Sequence, residues 1–319
     1  MDRFAPPTLL RPAMVQTALA SARFRKSRSA VLEAASRHVT LDVGAGLQTT
    51  CLYAPNPAAK GLVILLHGWL GTPQSAYVVS TAKYLYAQGY SVCRMTLPEH
   101  GDAIALNSDF LHAARTDELY RAVEQVAAWA EAQPVGLVGY SLGGNFALRV
   151  ARGLRDRPIP QLTRIYAVSP LFNPASAAVM IDGNPLLRSY FTRKLRKWLR
   201  DKNAAFPDQY PIADILGCST ITDMSHLIVG RWTGFAHLSD YFAAYQLAAG
   251  DMRGCPLPLT IFGAHDDPVV DAADVAKLRD MSGVDLHLSA RGGHNGFCDT
   301  LAGPSYFDRV IAQTLPSTH

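Results

Sequence analysis

Ser141 stands in the run Gly139-Tyr140-Ser141-Leu142-Gly143-Gly144, directly after the apolar segment Val135-Gly136-Leu137-Val138. A serine with a glycine two residues away on each side, between a strand and a helix, has the setting of an acyl-transfer nucleophile. A turn this tight strains the serine backbone and packs the chain closely on both sides, so only small residues fit at 139 and 143. The hydroxyl is thereby raised to the tip of a strand. The amide of Leu142 falls at a helix N-terminus, aimed where negative charge develops on an attacked carbonyl. A hydroxyl is a poor nucleophile at neutral pH, so this serine requires a base, and the base an orienting acid.

The elements that must hold such a site are legible in the hydrophobic pattern. Residues 37–43 and 48–53 read as a hairpin around Gly44-Ala45-Gly46, and Leu62 to Leu66 as a buried strand. A helix is expected over 75–88, a strand over 90–95, and an amphipathic helix over 116–132 with Leu119, Val123, Val126 and Trp129 on one stripe. The strand before Ser141 spans 135–140, the helix after it 142–155, and the next strand 164–169. From about 170 to 254 the chain is helical and loop-rich, before strand 257–262, helix 272–281, strand 284–288 and a last helix over 306–313. Alternating strands and helices predict an α/β fold, a mostly parallel sheet with helices on both faces. The interruption predicts a helical cap at 170–254 inserted into a core of 36–169 and 255–319. Residues 1–35 are expected to form a basic arm or short helix lying on that core, with Arg23, Arg25, Lys26 and Arg28 close together.

Composition narrows the class. The 319 residues are 49% hydrophobic and 18% charged, as in ordinary globular proteins, and a net charge of +4 does not argue for nucleic acid. Five scattered cysteines without a C-x-x-C pair suit a reducing compartment, and prolines and arginines interrupt the N-terminal segment where a signal peptide would need an apolar core. The expected location is the cytoplasm. No phosphate-cradling loop and no metal-binding spacing occurs, so neither a cofactor nor a metal is expected.

The turn around Ser141 resembles the nucleophile elbow of the α/β-hydrolases, and the resemblance extends over nearly the whole chain. It implies a chain order of Ser, Asp or Glu, then His. Asp266, in Gly263-Ala264-His265-Asp266-Asp267-Pro268, lies three residues past the glycine and is the expected acid; Asp267 is the alternative. His294, in Arg291-Gly292-Gly293-His294-Asn295-Gly296-Phe297, follows the last strand and is the expected base. In Leu65-Leu66-His67-Gly68-Trp69-Leu70-Gly71 the amide of Trp69 is expected to complete an oxyanion hole with that of Leu142, and His67 to brace the loop. These segments, with Thr233-Gly234-Phe235 and Asp240-Tyr241-Phe242 in the cap, are similar to the YheT-like branch of the superfamily. The resemblance implies a Ser-Asp-His esterase with a helical cap.

Two further signals bear on function. His112 and Asp117 have the H-x₄-D spacing of some acyltransferases, but the segment also reads as a helix start capped by Thr116 or Asp117. In the segment 188–202, Phe191, Leu195, Trp198 and Leu199 share one face and the rest is basic. That pattern reads as a lid helix with a solvated face, or as a contact for an anionic membrane. The expected activity is hydrolysis of a small-molecule carboxylic ester, falling at acid pH as the base is protonated. A thioesterase or acyltransferase would share the acyl-enzyme, and a non-catalytic binding protein is the rival of another class.

Overall fold

The computed structural model describes residues 4–317. Its frame is one eight-stranded sheet: β1 (Arg37–Gly44), β2 (Leu47–Ala54), β3 (Leu62–Leu66), β4 (Ser91–Met95), β5 (Val135–Tyr140), β6 (Leu162–Val168), β7 (Leu259–Ala264) and β8 (Val284–Ser289). The order is β1-β2-β4-β3-β5-β6-β7-β8. Pairs β1–β2 and β2–β4 are antiparallel and all the others parallel, so the sheet is mostly parallel.

Central strands such as β3 (LVILL) are buried along their whole length, as strands covered on both faces must be. Their alternate side chains feed two separate cores. Leu62, Ile64 and Leu66 point into one, and Val63 and Leu65 into the other. The first core is covered by α4 (Asp117–Ala128) and α5 (Leu142–Gly153); α3 (Ala76–Ala87) and α11 (Tyr306–Thr314) cover the second. Leu119, Val123 and Val126 of the expected α4 stripe are fully buried.

Between β6 and β7 lie α6 (Pro174–Gly183), α7 (Pro185–Ala205), α8 (Ile221–Trp232) and α9 (Leu238–Tyr245), and no strand. Ile181, Leu195, Trp198 and Ile228 from these helices join the first core. Among the described residues no helix is long and apolar enough to cross a membrane.

Several boundaries differ from expectation. β7 starts at Leu259 rather than 257, because Pro256 and Pro258 have no N–H to give the ladder. α10 (Ala272–Ala276) is five residues long, not ten, and the chain behind it turns at Asp280 and Gly283, both left-handed. α4 ends at Ala128 rather than 132, with Glu131 at a φ of 52°. Thr116 precedes α4 without capping it; its hydroxyl meets the Arg149 guanidinium.

The N-terminal stretch is more deeply embedded than a surface arm. It contains α1 (Ala13–Ala20) and α2 (Ala30–Ala35), with Gln16 0% and Arg25 1% exposed. Arg25 donates to the hydroxyls of Ser80 (3.2 Å) and Ser305 (2.8 Å), tying the segment to α3 and to the start of α11.

Candidate active site

Ser141 joins β5 to α5 with φ 54° and ψ −115°, a left-handed conformation that a non-glycine residue holds only when its surroundings over-determine it. The surroundings do. A Cβ at Gly139 would lie 2.1 Å from the Gly143 oxygen, and one at Gly143 would lie 2.4 Å from the His67 oxygen. The Ser141 amide donates to Val168 O (2.9 Å), and its carbonyl accepts from Asn145 N (3.0 Å) and Leu171 N (3.1 Å). Leu142 is the first residue of α5, so its amide is among those a helix leaves without an intrahelical acceptor.

The loop after β3 passes beside the serine: a Cβ on Gly68 would stand 3.2 Å from that of Ser141. His67, fully buried, holds the loop. Its Nδ1 meets the Gly68 carbonyl at 2.8 Å and its Nε2 accepts from Leu97 N at 3.0 Å. Those partners fix a neutral imidazole with the proton on Nδ1, and burial pushes its pKa well below the ordinary value. His67 therefore braces the loop and has no spare nitrogen for proton transfer. The Tyr77 hydroxyl also holds this loop, accepting from Gly68 N at 2.9 Å. Trp69 stacks on Phe191 of α7, centroids 5.7 Å apart, and Lys194 one turn on donates to Leu70 O at 3.1 Å. Helix α7 thus grips the loop that carries the Trp69 amide.

His294 lies in the loop after β8 and is 7% exposed. Its Nδ1 is 2.9 and 3.1 Å from the two carboxylate oxygens of Asp267. This corrects the expectation of Asp266. Asp267 Oδ1 also accepts from Val269 N (2.8 Å) and Val270 N (3.0 Å), which turns the carboxylate inward. Asp266 instead accepts from Gly293 N at 2.9 Å, with Arg291 4.0 Å away. The physical reason is strand length. β7 pairs with β8 as far as Ala264–Ser289, and His265 N still donates to Ser289 O, so the turn comes late and the second aspartate reaches the imidazole. The Asp267 side chain is 3% exposed against 13% for Asp266, which fits the two roles. With Nδ1 engaged, Nε2 is the nitrogen of His294 left for a proton from the serine.

Ser141 and His294 share the wall of one cavity of about 900 Å³. Leu142, Phe146, Leu171, Ile181, Leu195 and Trp198 make much of the wall apolar, so α5, α6 and α7 all contribute. Arg23, Lys26 and Lys194 also line it, and none forms an ion pair among the described residues. Glu99, the carboxylate on the same wall, is held by Lys202 at 3.0 Å and by Leu111 N at 3.1 Å. Burial raises Glu99 to about 7 against the pull of Lys202. His100, also on the wall, is lowered to about 4 by burial.

Other sequence signals fall outside the chemistry. His112 is packed edge-on to Phe235 and Tyr241, whereas Asp117 is exposed at the start of α4; no hydrogen bond joins them. His265 is exposed, and His287 is held by Tyr306 (2.9 Å) and Asp285 (3.1 Å). On α7, Leu195, Trp198 and Leu199 are buried and Arg193, Lys197 and Arg200 exposed, but Lys202 is wholly buried. The described residues hold no cluster of three or more metal-ligating side chains. Sequence reading missed the Glu99–Lys202 pair and the contact of Gln16 and Thr17 with the histidine loop. The low charge tolerance of an apolar wall hints at the first; no local signal marks the second.

Residues 63–302 match the alpha/beta hydrolase family. The chain is 26% identical over 254 residues to YheT of Escherichia coli (strain K12), covering 77% of this chain and 74% of that protein. It is 24% identical over 330 residues to slr0264 of Synechocystis sp. (strain ATCC 27184 / PCC 6803 / Kazusa), covering 92% and 87%. Both carry provisional esterase names. Among solved structures, 2,6-dihydroxy-pseudo-oxynicotine hydrolase has a TM-score of 0.59 at 16% identity, over 89% of this chain and 71% of that one. The Pyrococcus furiosus esterase Pf2001 has a TM-score of 0.54 at 14% identity, over 87% and 90%. These likenesses carry the same fold. The chain belongs to the alpha/beta hydrolase family, in its YheT-like branch.

Proposed function

We propose that this hydrolase cleaves carboxylic esters through an acyl-enzyme on Ser141. The observation that carries the reading is a strained serine sharing a cavity wall with a histidine whose Nδ1 is held by a buried carboxylate. Ser141 Oγ attacks the acyl carbon while its proton passes to His294 Nε2. The Asp267 carboxylate, 2.9 Å from Nδ1, orients the ring and stabilises the imidazolium. The amides of Leu142 and Trp69 bind the oxyanion, each such donor contributing about 10²–10³ in rate. The tetrahedral species collapses as His294 gives its proton to the leaving alcohol, and water then repeats the cycle on the acyl group. The provisional esterase names of the relatives and the fold shared with Pf2001 support the same class.

The apolar wall suits an acyl chain, and the volume lies within the usual range for small-molecule sites. Arg23, Lys26 and Lys194 without ion-pair partners favour a substrate whose alcohol part carries negative charge. The test is turnover of p-nitrophenyl esters from acetate to palmitate, beside 4-acyloxy-3-nitrobenzoates of matched chain length, by wild type and Ser141→Ala. Turnover lost in the variant, with a preference for the anionic leaving group, is expected. Equal turnover by Ser141→Ala would refute the mechanism, and a preference for the neutral series would refute the charge assignment.

A further inference from the structure

We propose that α1 is a brace for the catalytic histidine, and that Thr17, with Gln16 beside it, is a positioning residue for His294. The kinetic part of this inference rests on the hydrolase reading above. The helix lies outside residues 63–302, the stretch that matches the family model.

The contact is direct. The backbone N–H of His294 donates to Thr17 Oγ1 at 3.0 Å. The Thr17 hydroxyl gives its own proton to Ala13 O at 2.8 Å, so its oxygen is left to accept. Donor and acceptor roles are therefore fixed at both ends. One turn of loop further on, Gln16 pairs with the backbone of Cys298 twice: Nε2 donates to Cys298 O (2.8 Å) and Oε1 accepts from Cys298 N (2.8 Å). The second proton of the Gln16 amide goes to Leu10 O at 2.6 Å, and the side chain is fully buried.

The loop glycines show how closely helix and loop are pressed together. A Cβ at Gly293 would come within 2.4 Å of Ala13 O, and one at Gly296 within 2.7 Å of Gln16 O. The loop also needs an external hold. Gly293, Asn295 and Phe297 have φ of 55°, 60° and 47°, and a bulky residue such as Phe297 is costly there. Across the loop from α1, Asn295 N donates to Ser169 Oγ at 3.1 Å. His294 is thus fixed by three partners of different origin: Asp267 on the ring, Thr17 on its own amide, and Ser169 on the next amide.

Thr17→Val keeps the β-branched shape and removes the acceptor, leaving the His294 amide without its partner. A displaced catalytic group costs rate more than binding. We expect kcat, normalised to sites titrated by a fluorophosphonate, to fall about 10- to 100-fold with KM changed less than about threefold. Thr17→Ser should restore most of the rate. In a background of His294→Ala, Thr17→Val should have no further effect, because it acts through the imidazole. A second readout does not depend on turnover: the low-field proton resonance of His294 Nδ1–H on Asp267, in protein labelled with ¹⁵N-histidine. It should be present in wild type and Thr17→Ser, and lost or shifted in Thr17→Val. If Thr17→Val proves unstable, Gln16→Leu, which removes both bonds to Cys298, takes the same two measurements. An unchanged resonance with kcat within about twofold of wild type would overturn the brace. An inert wild type whose resonance still responds to Thr17→Val would fail the hydrolase reading and keep the brace.

Discussion

Asp266 and Asp267 are adjacent, chemically identical and predicted to behave very differently. In Asp267→Asn, the amide oxygen should keep the place of Oδ1, because Val269 N and Val270 N need an acceptor there. The amide nitrogen then replaces Oδ2, 2.9 Å from His294 Nδ1. Two donors cannot face each other, so Nδ1 must lose its proton and Nε2 must carry one. The histidine is then in the wrong tautomer to accept the serine proton, and the imidazolium loses its counter-charge. A change of this kind costs about 10⁴ in kcat, equivalent to roughly 5.5 kcal/mol of barrier. Asp266→Asn retains an acceptor for Gly293 N and loses only a charge 4.0 Å from the exposed Arg291, away from the His294 ring, so it should stay within about threefold of wild type. The assay is kcat and KM for a p-nitrophenyl ester in both variants, with thermal melting to show that each is folded. Asp266→Asn failing as badly as Asp267→Asn, or Asp267→Asn keeping a tenth of the rate, would refute the assignment.

Two stability predictions follow from buried charge. Lys202→Met removes the partner of Glu99 and the bonds from its ammonium to Asn107 O (2.9 Å) and Asp109 O (3.4 Å). It should cost about 3–5 kcal/mol in denaturant titration. Because Glu99 then ionises without compensation, the loss should deepen as pH rises, and Glu99→Gln in the same chain should recover part of it. His67 and His100 act in the opposite direction on the pH axis. Burial lowers both, His100 to about 4, so the unfolded chain takes up protons before the folded one. Their contribution is present above the unfolded value of about 6.5 and is lost as pH falls toward 4. Melting temperature should drop over that window, and less steeply in His100→Gln; equal slopes would contradict the assignment.

What was legible in the sequence is what local sterics decide. The turn at Ser141 could be read because Gly139 and Gly143 are demanded by atoms a few residues or one strand away. The positions of β3 and β5 follow from unbroken apolar runs. The choice between Asp266 and Asp267 depended on one more residue pair of a parallel ladder, Ala264 with Ser289, and nothing in the turn announces how far such a ladder extends. The inward turn of Asp267 does have a signal in retrospect: it is followed by a proline without an N–H and then by two buried valines whose amides must find an acceptor. Thr17 lies 277 residues from the amide it accepts, and Lys202 lies 103 from its carboxylate. Contacts at that separation are properties of the packed fold, not of any segment.

The central claim is that Ser141 is a nucleophile activated by His294. The most direct measurement is the intact mass of the folded protein after exposure to a fluorophosphonate, followed by peptide mapping. The account predicts one adduct per chain, on Ser141, formed by wild type and absent from Ser141→Ala. No adduct on folded wild type, or an adduct that persists in Ser141→Ala, would contradict it.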